Sequence, residues 1–94
     1  MLYYVEFGCS EAAGRLIVNA ESEDQAWEFA EVEADNLFDS YDHGIYEDDY
    51  EEYEDFEADY YEARDTDVFY SVEPYDEKKD EHREAIEADG IFEI

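Results

Sequence analysis

Leu2-Tyr3-Tyr4-Val5-Glu6-Phe7 and, after a glycine-bounded loop, Arg15-Leu16-Ile17-Val18-Asn19-Ala20 are the segments on which the fold turns. In the first, Tyr3, Val5 and Phe7 alternate with Leu2, Tyr4 and Glu6, which is the period of a strand. In the second, Leu16, Val18 and Ala20 share the side that faces the expected core. The loop from Gly8 to Gly14 is too short for a crossover, so the two strands read as an antiparallel hairpin.

Immediately downstream, Ser22-Glu23-Asp24-Gln25 has the form of a capping box with acids in the first turn. Turning 100° per residue from Ala26 gathers Ala26, Ala30, Ala34, Leu37 and Tyr41, with Trp27 and Phe38, into an arc of roughly 120°. Asp24, Glu28, Glu31 and Asp35 fall opposite. An amphipathic helix over 23–41 follows, stopped by Asp42-His43-Gly44, where Gly44 suits a left-handed cap.

Residues 46–64 place Tyr46, Tyr50, Tyr53, Phe56, Tyr60 and Tyr61 on a helical arc of roughly 140°. Glu47, Asp48, Glu51, Glu52, Glu54, Asp55, Asp59 and Glu62 cover the other face, while Asp49, Glu57 and Arg64 intrude on the aromatic side. The segment reads as a helix with an inner tyrosine stripe. Like charges at i,i+4, such as Glu51/Asp55, oppose it by a few tenths of a kcal/mol each, so packing of the stripe must offset them. A third strand over 66–73 presents Val68, Tyr70 and Val72 and stops at Pro74. A helix over 76–89 carries a thin stripe of His82, Ala85 and Ile86 and closes at Gly90, before a last strand at 91–94. The order ββααβαβ implies one α+β domain, residues 1–94, with a small antiparallel sheet of about four strands and helices packed on one face.

The composition bounds the function. The 94 residues hold 32 Asp+Glu and 5 Lys+Arg, a net charge of −27. Leu, Ile, Val and Phe make up only about a fifth of the chain, at the border of disorder, but ten Tyr, six Phe and one Trp argue for a folded domain. Five dispersed cations cannot neutralise a phosphate backbone, which excludes direct nucleic-acid binding. The short apolar runs exclude a bilayer span, and the charge repels an anionic membrane surface. With no signal peptide in view and Cys9 as the lone cysteine, the expected location is the cytoplasm.

No catalytic arrangement emerges. Carboxylates are too numerous for an acid/base pair to be singled out, and His43 and His82 have no nucleophile beside them. The chain is therefore expected not to be an enzyme. A calcium loop starting at Asp39 would put Gly44 at its sixth position, but Tyr41, His43 and Tyr50 stand where ligands belong. One Cys and two distant His do not make a zinc site. No cofactor and no metal are expected.

Charge is the strongest signal. Duplex DNA carries one negative charge per ~1.7 Å of axis, and acids at i,i+4 on a helix are ~6 Å apart along it, comparable to phosphate spacing along one strand. The run from Tyr46 to Glu62, with this size and charge, resembles the small acidic DNA-mimic inhibitor proteins of phages and mobile elements. That class includes anti-restriction proteins, uracil-DNA glycosylase inhibitors and anti-CRISPR proteins. The resemblance implies a protein that blocks the nucleic-acid-binding groove of a bacterial defence protein, first of all as an anti-CRISPR protein. Inhibition of a restriction or DNA-repair enzyme by the same mimicry is the alternative. If phage-encoded, it would act in the host cytoplasm. An acidic adaptor or chaperone for a basic protein, or a domain from a salt-loving cell, are readings of other classes.

The partner is thus expected to be a basic nucleic-acid-binding protein: a CRISPR effector, a restriction enzyme or a repair enzyme. The contact surface is placed on Asp48, Glu51, Glu52, Glu54, Asp55, Asp59 and Glu62, with Tyr53 as an aromatic anchor. Glu28, Glu31 and Asp35 are the fallback surface. Lys78, Lys79 and Arg83, the one basic cluster, should pair internally with nearby acids. Monomer and dimer both remain open.

Overall fold

The computed structural model describes residues 1–41 and 44–94. Asp42 and His43, read above as part of a helix stop and a calcium loop, lie outside the described residues. The elements are β1 (Leu2–Gly8), β2 (Ala13–Asn19), α1 (Glu23–Ser40), a 3-10 turn (Glu47–Asp49), α2 (Tyr53–Asp67), β3 (Phe69–Pro74), α3 (Asp80–Asp89) and β4 (Ile91–Glu93). The class is α+β, and the four strands form one sheet in the order β3-β1-β2-β4.

β1 and β2 form the expected antiparallel hairpin, with Val5 opposite Leu16 and Tyr3 opposite Val18. β3 adds antiparallel to the other side of β1. β4 differs from expectation, because it runs parallel to β2 and makes the sheet mixed. The reason is topological. β3 and β2 both oppose β1 and so point the same way, and α3 carries the chain from one edge of the sheet to the other. A helix crossover of this kind returns the strand in its original direction, which a hairpin cannot do.

α1 packs on the face made by Tyr3, Val5, Phe7, Val18 and Ala20. Its buried stripe is Ala26, Ala30, Ala34 and Phe38, and the three alanines are wholly buried. Their small side chains let the helix axis lie close to the sheet. Ser22 caps α1 as expected, its Oγ accepting from the Gln25 N–H at 3.2 Å, while Gln25 Oε1 accepts at 2.7 Å from the N–H of Glu21, one residue before the cap, rather than from that of Ser22. α1 ends at Ser40. Tyr41, placed on the core arc by its spacing, is instead an extended, exposed C-cap. Gly44 has the expected positive φ of 74° but lies beyond the helix end rather than capping it.

The reverse face of the sheet carries a second, smaller cluster of Tyr4, Ile17 and Ala85, which α3 covers. His82 is wholly buried there, stacked on Tyr4 at 4.2 Å and near Tyr75 at 5.8 Å. Its Nδ1 accepts from the Asp76 N–H at 2.9 Å, so Nε2 carries the proton and donates to Glu73 at 2.7 Å. Gly90, at φ 71°, caps α3 as its position implied. Burying Val5, Ile17 and Val18 completely contributes about 1.5–3 kcal/mol each.

The largest departure concerns residues 46–64. Instead of one helix there is a 3-10 turn, an irregular link at 50–52, and a helix that starts at Tyr53 and runs on to Asp67, which delays β3 to Phe69. The stripe is not an inner one either, since α2 has no buried residue. α2 and the preceding turn project from the body as an arm. The radius of gyration is 15.7 Å, against about 12 Å for a compact chain of this length. The extents are 52 × 24 × 18 Å. Among the described residues, no helix is long and apolar enough to cross a membrane.

Candidate partner-binding surface

Among the described residues, the arm is held by aromatic contacts, by Arg64 and by hydrogen bonds from Tyr60 to Asp39 and from Ser10 to Asp67. Phe56 is the hub, with Tyr53 at 5.7 Å, Tyr50 at 5.9 Å and Tyr60 at 5.9 Å between ring centroids. Tyr60 continues the ladder to Tyr61 at 5.5 Å and to Phe38 of α1 at 5.6 Å, and donates its hydroxyl to Asp39. Each such pair contributes roughly 0.5–1.5 kcal/mol beyond its area, which stands in for a buried core. Arg64 locks the base. Its guanidinium lies 4.8 Å from the Tyr61 ring centre, and its Nε sits 3.4 Å from Asp35 of α1, a charge contact without a hydrogen bond. Burial raises the Asp35 carboxyl above its ordinary value, and Arg64 opposes that rise.

The eight predicted contact residues all lie on this arm, and all are exposed. Asp48 is in the 3-10 turn, Glu51 and Glu52 lie in the link, and Tyr53 opens α2 at 55% exposure. Glu54 and Asp55 occupy the first helical turn, where the helix dipole favours them. Asp55, Asp59 and Glu62 share one helical row at i, i+4 and i+7. Glu51 does not extend that row, because the backbone is not yet helical at its position. The carboxylate ladder is therefore shorter than the spacing implied, and its first acids are presented by irregular chain.

Two phenols are tuned by acids of the arm. Tyr50 donates to Asp59 at 2.8 Å, and this bond raises its pKa. The Glu57 charge raises that of Tyr53. Both therefore stay protonated donors further into the alkaline range than a free tyrosine.

Of the fallback acids, Asp35 is committed to Arg64, whereas Glu28 and Glu31 are exposed. Two of the three basic residues pair internally, Lys79 with Glu73 at 3.2 Å and Arg83 with Asp80, whereas the Lys78 ammonium makes no ion pair among the described residues. The hydrogen bonds from His82 and then from Lys79 hold the Glu73 carboxyl below its ordinary value. Sequence reasoning missed the clamp role of Arg64. The signal was present, in a lone arginine interrupting an aromatic stripe, where an unpaired surface charge would have no reason to sit. Of the aromatic stripe, sequence reasoning makes Tyr53 alone an anchor and leaves out Tyr46 and Tyr61, which are 48% and 45% exposed, because the stripe reads as an inner one.

Comparison with protein-family models, with curated proteins and with solved structures finds no match to this chain.

Proposed function

We propose that this protein is a nucleic-acid mimic that occupies the nucleic-acid-binding groove of a basic bacterial defence protein, with a CRISPR effector as the first candidate. A restriction or repair enzyme is the alternative target. The observation that carries the reading is linear charge density. A net charge of −27 over a longest dimension of 52 Å is one charge per about 1.9 Å, close to the ~1.7 Å of duplex DNA. The exposed carboxylates of the arm supply the backbone-like charge, and the adjoining tyrosines supply anchors. Inhibition would be steric, with long-range attraction setting a fast and salt-sensitive association. The protein needs no catalysis or cofactor of its own for this, and its place of action is the cytoplasm.

The test is affinity capture from a bacterial lysate at moderate salt, followed by challenge with duplex DNA, RNA and a polyanion of equal charge. Release by nucleic acid at far lower charge concentration than by polyanion supports mimicry and identifies the groove's owner. Equal release by all three favours a general acidic adaptor. With the owner in hand, replacing Glu51, Asp55 and Glu62 together by lysine should slow association about a hundred-fold. The melting temperature should stay the same or rise, since like-charge repulsion on the arm falls. Unchanged association would move the surface to Glu28 and Glu31.

A further inference from the structure

Where the arm meets the body, the β1–β2 loop, the end of α1 and the last turns of α2 border a cleft of about 300 Å³. That is the lower end of the ~300–1,000 Å³ range of ligand sites, a size for one side chain rather than a cofactor. Its lining combines two chemistries. Tyr41, 44% exposed, contributes ring surface beside the buried Phe38, and Glu11 and Asp67 contribute carboxylates. Asp67 is fixed in place, because Ser10 donates to its Oδ2 from both the backbone N–H at 3.2 Å and the hydroxyl at 3.1 Å. Its Oδ1 meets no donor among the described residues. No cation lines the cleft among the described residues. Arg64, adjacent in sequence, is turned to Asp35 and the Tyr61 ring.

We propose that this cleft is a socket for a guanidinium group, an arginine side chain of the basic partner. Arginine fits both chemistries at once: its flat face stacks on an aromatic ring, and its N–H fork matches a carboxylate. Lysine, a compact and strongly hydrated charge, matches only the carboxylates. The identity of the occupant rests on the reading of the partner as a basic protein. The socket itself lies outside the predicted carboxylate surface and can be probed without the partner.

The experiment titrates the full chain with N-acetyl-arginine methylamide while recording backbone amide NMR shifts. The lysine analogue and the neutral citrulline analogue serve as comparisons. Saturable shifts centred on Ser10, Glu11 and Asp67, larger for arginine than lysine and lost with citrulline, are expected. Asp67→Asn should weaken the arginine site about ten-fold, the loss of a charge-assisted pair. Because that change also touches Ser10, Tyr41→Leu is the second variant, expected to weaken it about three-fold through the lost ring. Glu87→Gln, exposed on α3, should leave it unchanged. Shifts spread along Asp55–Glu62 without saturation, or equal responses to arginine and lysine, would overturn the socket. Its loss would leave groove mimicry standing if nucleic acid still releases a captured partner. A saturable socket without such release would leave an arginine-binding protein that mimics nothing.

Discussion

In the sheet body, Tyr3, Tyr4 and Phe7 are 6%, 4% and 7% exposed; in the arm, Tyr46, Tyr53 and Tyr61 are 48%, 55% and 45% exposed. The same residue types are used in opposite ways. Those three body rings are enclosed between the sheet and the helices on its two faces, whereas Phe69, Tyr70 and Phe92 on the edge strands are exposed. Among the described residues, the arm's aromatics contact one another, Arg64 and Phe38 of α1, and carry around them the densest run of carboxylates in the chain. Apolar surface left in water brings no folding energy, and contiguous exposed patches of it mark interaction sites. The contrast places folding stability in the body and, on the proposed function, recognition on the arm, and it implies that the arm opens at lower cost.

Four changes would break or sharpen that contrast, beginning with the largest effect. Ile17→Ala, in the wholly buried reverse-face cluster, should cost about 3 kcal/mol by the cavity it leaves. Urea unfolding measures it, and a loss under 1 kcal/mol would mean that the body is not where stability resides. Arg64→Gln should raise exchange of α2 amides by the equivalent of about 1–2 kcal/mol, between the values for exposed and buried pairs. Amides of β1 and β2 should not change. Equal acceleration in both regions would make arm and body one cooperative unit.

Acid should separate the regions further. The folded-state pKa of Glu73 lies below its ordinary 4.5, so its bonds to His82 and Lys79 stabilise the fold fully above 4.5. That contribution is lost as pH falls through the lowered value. Asp35, at the arm's base, runs the other way: burial raises it above 3.8, so falling pH relieves the cost of its buried charge. Amides of α3 should therefore lose protection in acid before those at the arm's base, and Glu73→Gln should abolish the acid dependence of α3. The smallest effect belongs to Tyr53→Ala, expected to lower stability by about 0.5–1 kcal/mol through its ring pair with Phe56 while weakening partner binding. A loss of several kcal/mol in the melt would show that the aromatic ladder is a core after all.

Much of this architecture was legible in local pattern. Ser22 and Gln25 announce the start of α1, Ala26, Ala30 and Ala34 its buried stripe, and Gly90 the end of α3. The candidate contact acids were legible too, because an acid-rich face needs no tertiary information to be recognised as exposed. What misled was the tyrosine stripe, whose 3.6-residue period is the same whether it meets a core or water. The start of α2 was equally hidden. Glu47, Asp48, Asp49, Glu51 and Glu52 crowd so much like charge before Tyr53 that helical spacing there is disfavoured, and no capping side chain marks the true boundary.

The sequence by itself determined the hairpin, the caps and faces of α1, and where the charge is concentrated, since periodicity, capping and composition act over a few residues. Only the tertiary structure decided that α1 and α3 would cover the two faces of the sheet and leave the aromatic stripe of α2 outside. It alone decided that Arg64 would tie the arm to Asp35, and that β4 would run parallel to β2. Those outcomes depend on which elements reach the sheet and by what path, and residues distant in sequence settle that competition together.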